Sequence, residues 1–147
     1  MPELYDLANL YVASLRSLVL IEYNAHWLAA GDYSKHLLFQ RLFEQATEDS
    51  DMAAERMIGL FGEKSVSLAA QAKLIGKILA KYQDEGSLLQ LCLKMEKDLI
   101  AFSEQFYSAL EKADQLSLGC DDMVMSLSSN RETACYLLQQ ALAEEED

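Results

Sequence analysis

Apolar residues recur along this chain at intervals of three and four, the period of a helix with one buried face. Leu4, Leu7, Tyr11, Leu18, Ile21, Ala25 and Leu28 predict a first helix over about residues 3–30, broken by Gly31-Asp32. Leu37, Phe39, Leu42, Phe43, Ala46, Ala53, Ala54, Met57 and Ile58 predict a second over about 33–60, ended by Phe61-Gly62. The chain restarts at Ser65-Val66-Ser67, with Ser67 suited to cap a shorter helix over about 68–82. Gln83 to Gly86 reads as a turn, and Ser87 can cap a third long helix reaching about Ala113. Asp114 to Gly119 links it to a last helix over about 121–143, whose N-terminus Asp121 or Asp122 would favour. The stretch Ser126 to Asn130 has weak helix propensity and predicts a kink.

Four long helices with a short one between the second and third define an all-α fold. The tight links predict two antiparallel pairs, and the long middle connection can cross the length of a bundle. This is the ferritin-like four-helix bundle with one long crossover carrying a short extra helix. The 147 residues suffice for a single domain with a real core, and half of them are hydrophobic. One proline and six glycines suit long helices and few turns. No apolar run is expected to span a membrane, and the first residues do not read as a signal peptide. Cys92, Cys120 and Cys135 show no CxxC spacing and read as buried free thiols of a reducing cytoplasm.

The formal net charge is -12. Such a surface repels phosphate backbones, so DNA binding is not expected. Ala143 to Asp147 is an acidic tail, most simply a solvated end.

Both histidines, His26 and His36, flank the first turn, and Asp51 and Glu55 follow one helical turn apart. Imidazoles and carboxylates together suit iron, zinc or manganese better than magnesium or calcium. His36 and Asp51 point to roughly the same side of their helix, yet are about 22 Å apart along it. One ion cannot span that distance. Two chains packed antiparallel about a two-fold axis would bring the His end of one to the Asp/Glu end of the other. The residues alone leave other readings open: surface charge pairing with Arg56, and Trp27 as a core aromatic.

The run Asn24-Ala25-His26-Trp27, Gly31, His36, Asp51-Met52-Ala53-Ala54-Glu55-Arg56 and Gly62 resembles the signature of the Dps family, the miniferritins of the ferritin-like superfamily. The match covers about residues 23–62; the rest agrees in helical layout. The resemblance implies a hollow dodecamer that oxidises ferrous iron at inter-subunit dimer sites, with hydrogen peroxide as oxidant, and stores ferric mineral inside. It implies His26 and His36 as ligands from one subunit, Asp51 and Glu55 from its partner, and Trp27 close to the iron. It places acidic inlets near Asp114, Asp121 and Asp122. Three departures stand out: a His26–His36 loop about two residues short, Gln40 where the family often has a carboxylate, and no lysine-rich terminal segment. They favour, as the alternative, a Dps-like shell or binding module whose ferroxidase activity is weak or lost. A di-iron site inside one bundle needs Glu-x-x-His pairs. Tyr23 and Tyr33 occupy those offsets, and Glu22 stands four before His26.

Overall fold

The structure, a computed structural model, describes residues 4–146. Glu3 and Asp147, placed above in the first helix and the acidic tail, lie outside them. Five helices follow in order: α1 (Leu4–Leu28), α2 (Tyr33–Phe61), α3 (Leu68–Ala80), α4 (Leu88–Lys112) and α5 (Leu118–Glu146). A 3-10 turn over Glu63–Val66 precedes α3, and no strand occurs among the described residues.

Side-chain caps set several starts. Asp32 accepts from the Lys35 amide at 3.0 Å, and Ser67 from that of Ala70. Ser87 and Gln90 form a reciprocal capping box at the start of α4. The last helix corrects the expected boundary. It opens three residues before Asp121, because Ser117 Oγ takes the Cys120 amide at 3.1 Å. Asp121 and Asp122 therefore lie inside its first turns and do not cap it. The helix is assigned without a break through Ser126–Asn130, and it also takes in most of the acidic tail.

Contacts at both ends fix the topology. Tyr11 stacks on Phe106 while Glu22 meets Glu96, so α1 and α4 are antiparallel. Arg56 lies on Gly119 and Lys35 pairs with Glu145, so α2 and α5 are antiparallel as well. With α1 and α2 joined by a short turn, α2 and α4 must run the same way. The chain leaving α2 has to return along the full bundle, and the 3-10 turn and α3 make that return. The result is an all-α bundle of four long helices, each antiparallel to its neighbours, with α3 lying against α1.

One contiguous apolar cluster fills the bundle, from Ala8, Tyr11, Leu15 and Leu18 on α1 to Met123, Leu127 and Leu138 on α5. Cys92, Cys120 and Cys135 are free and buried within or beside it. α1 touches α2, α3, α4 and the 3-10 turn, so it is apolar on several sides. It is in fact long and apolar enough, by length and composition, to cross a membrane, which the sequence reading did not anticipate. Half of its most apolar window is buried against the other helices.

Asn9 fastens the returning segment. Its amide donates to the Lys64 carbonyl at 2.6 Å, and its Oδ1 accepts from the Ser67 amide and the buried Gln71 side chain. Asn9→Ala would strand several buried partners at once, each worth about 1–3 kcal/mol. Urea unfolding should show a loss of about 2–4 kcal/mol, with amide exchange accelerated most at Ser65 to Gln71.

Candidate metal centre

His26 sits in the last turn of α1 and His36 in the first turn of α2. The reversal between them is tight. Gly31 takes φ +77°, a left-handed conformation that side chains disfavour, and Asp32 then caps α2. The two imidazoles stack with centroids 3.8 Å apart and planes 25° apart. Each bonds the other's backbone: His26 Nδ1 to the His36 carbonyl at 2.9 Å, His36 Nδ1 to the His26 carbonyl at 3.0 Å.

Those bonds decide the tautomer. A carbonyl oxygen only accepts, so both Nδ1 atoms carry protons and donate. In the neutral rings each Nε2 then holds a free lone pair, the form in which imidazole binds metals. The fixed rings stand among aromatics. Tyr23 contacts Trp27, Phe43 and the His26 ring edge, and Tyr33 stacks beside His36. Trp27 is 65% exposed and Tyr33 74%, which removes the reading of Trp27 as a core aromatic. Trp27, Asp32, Tyr33 and His36 line a shallow open depression.

Asp51 and Glu55 stand exposed further along α2. Neither enters an ion pair or side-chain hydrogen bond among the described residues. Their neighbour Arg56 turns away, to cover Gly119 at the start of α5, so the expected local charge pairing is not formed. Glu55 and Arg56 border a second open depression with Met52, Gly59 and Leu60. The structure thus brings the two histidines together and leaves the two carboxylates on a separate stretch of an unbroken α2. No group of three or more metal-ligating side chains converges among the described residues of one chain.

The acidic residues near the α4–α5 junction differ from one another. Asp114 is exposed in a left-handed turn at φ +55°, and Asp122 is exposed on α5. Asp121 is half-buried, and its carboxylate beside Tyr107 raises that phenol's pKa.

Sequence reasoning missed a second polar constellation, deep in the bundle. Arg131, 1% exposed, donates from Nη2 to Asp49 at 2.8 Å and from Nη1 to Glu96 Oε1 at 3.3 Å. Asn130 and Gln45 both donate to the other Asp49 oxygen at 3.0 Å. Glu22, fully buried, neighbours Glu96, and neither of its oxygens has a donor among the described residues. The signal was present: each charged residue falls on the apolar stripe of its helix, as Glu96 does between Cys92 and Leu99.

Compared with protein-family models and with curated proteins, the chain matches none of them.

The tautomer is directly measurable. Long-range nitrogen–proton spectra of the neutral rings should show both Nδ1 atoms protonated and both Nε2 atoms bare. A protonated Nε2 on either ring would contradict the geometry above.

Proposed function

We propose that this protein is a ferroxidase and iron-storage protein of ferritin-like, Dps-type architecture. Two copies would meet antiparallel so that the His26/His36 pair of one faces Asp51 and Glu55 of the other. The observation that carries the reading is the histidine clasp, which leaves two pre-oriented nitrogen donors at the surface. Asp51 and Glu55, exposed and without partners among the described residues, would supply the oxygen donors such a site needs. The antiparallel bundle with a single crossover supports the same architecture. A hollow dodecamer in the cytoplasm, with acidic inlets near Asp114, Asp121 and Asp122, completes the proposal. Zinc or manganese would fit the same donors.

The stacking bears on nuclearity. A metal lies in the plane of the imidazole that binds it, and these two planes meet too far away for one ion to reach both. Each histidine would therefore serve its own ferrous ion. Two adjacent ions match a two-electron oxidant. Each gives one electron to peroxide, which takes up two protons and leaves as two waters. Trp27, which lines the same open depression as His36, would intercept one-electron oxidants.

A second reading, a shell with weak or lost activity, draws on Gln40. One turn after His36, where a further carboxylate would strengthen the site, its amide instead donates to Glu44 at 3.1 Å.

Ferrous iron and peroxide added to the apo-protein should yield ferric absorbance with about two irons consumed per peroxide. An inert shell would give only the uncatalysed rate. In a heterodimer of His26→Ala and Asp51→Ala chains, one site loses both contributions and the other is intact. Such heterodimers should retain about half the sites of wild type. Retention of none would exclude sharing between copies.

A further inference from the structure

The buried constellation carries more acid than its one cation answers. Every long helix contributes to it: Glu22 from α1, Asp49 with Gln45 from α2, Glu96 with Cys92 from α4, and Arg131 with Asn130 and Cys135 from α5. Arg131 binds Asp49 and Glu96, one oxygen of each. What is left over is specific: both oxygens of Glu22 and Oε2 of Glu96. The two carboxyls are buried neighbours across the α1–α4 seam, and ionised carboxylates are acceptors only. Two such groups face to face, out of water, repel strongly unless one of them is a donor.

We propose that Glu22 and Glu96 share one buried proton at neutral pH, carried by Glu22 and donated to the Glu96 oxygen that Arg131 leaves free. A single proton turns one Glu22 oxygen into the donor that Glu96 Oε2 lacks, and what remains unpaired is the carbonyl oxygen of a neutral acid rather than a buried charge. It also leaves Glu96 ionised for Arg131. Burial, and then the Glu96 charge, drive the Glu22 pKa well up, in accord with the geometry. Glu96, pushed up by burial, is pulled back by Arg131 and by Glu22 itself. The nearby thiols do not compete for the charge, since burial and these same carboxyls hold Cys92 protonated.

The proton makes the α1–α4 seam pH-sensitive. The unfolded chain releases it near the ordinary glutamate pKa of about 4.3, whereas the folded bundle retains it. Between those two pKa values the folded state binds one more proton, so stability falls as pH rises, and the contribution is gone above the folded pKa. Glu22 lies one turn before His26 on α1, so strain on this seam reaches the helix that carries the clasp. The inference stands whether or not the histidines bind iron.

The test is infrared spectroscopy of intact protein carrying carbon-13 glutamate. At pH 7 the wild type should show the carbonyl stretch of a non-solvated, protonated glutamic acid, and Glu22→Gln should lack it. Urea unfolding across pH is the second measurement. Glu22→Gln keeps an N–H donor for Glu96 but does not titrate. The folding equilibrium of the wild type should therefore weaken relative to Glu22→Gln by up to about tenfold per pH unit through the window. Absence of the protonated band in wild type at neutral pH would overturn the proposal, as would parallel pH profiles for the two proteins. Should Glu22→Gln not fold, the wild-type band and its disappearance on alkaline titration decide alone.

Discussion

The bundle turns on Arg131. A guanidinium removed from water must find anionic partners, and its fork accepts only a narrow set of positions for them. Asp49 on α2 and Glu96 on α4 fill those positions at 2.8 and 3.3 Å. A slip of either helix by one turn against α5 would carry a carboxylate about 5.4 Å away and leave a buried charge unanswered. Such a pair adds little net stability against a well-packed apolar substitute, but breaking it by removing one member typically costs about 3–5 kcal/mol. Its effect here is on register. With α5 locked to α2 at Asp49, Arg56 falls on Gly119 at one end and Lys35 meets Glu145 at the other.

That register hands the surface a rigid ruler. α2 runs unbroken from Tyr33 to Phe61, so the separation between the His36 turn and the Asp51–Glu55 turn is fixed by helix geometry. The clasp fixes the direction of the donors. Two imidazoles that bond each other's carbonyls cannot rotate independently, and their tautomers follow from those bonds. A metal site shared between copies needs both properties, because its halves belong to different molecules and neither half can adjust to the other in advance.

Much of this was legible in residue order. The helical period, Gly31-Asp32, Ser67 and Ser87 located the helices to within a few residues, since each feature acts locally. The pairing of the two histidines was legible because a short turn leaves few geometries. What was missed depended on tertiary surroundings. Ser117 outcompetes Asp121 and Asp122 as cap through a hydrogen bond three residues away, and charge near a helix start does not distinguish a cap from a first-turn residue. For Trp27 the residues alone left a core position open as an alternative, and only its exposure in the last turn of α1 closes it. Glu22 was weighed only for its offset from His26. Its position between Leu18 and Ala25 on the buried face was the better clue, and it pointed to the interior.

The exposed apolar side chains separate the surface from the core by a different logic. Trp27, Leu28, Tyr33 and Leu37 are exposed around the clasp, and Met52, Ile58 and Leu60 around Glu55 and Arg56. A single exposed leucine needs no explanation, but two such groups at the two candidate half-sites do. If the halves meet in a dimer, these residues form its apolar ring and leave water at the surface for contact with one another, at about 25 cal/mol per Å² of apolar area buried. The same contact would lower the dielectric around the four ligands and strengthen their hold on a cation. Hydrophobic burial and coordination would then favour one arrangement of the two copies. In such a dimer the apolar contact would also have to offset the repulsion between two copies that each carry a formal charge of -12.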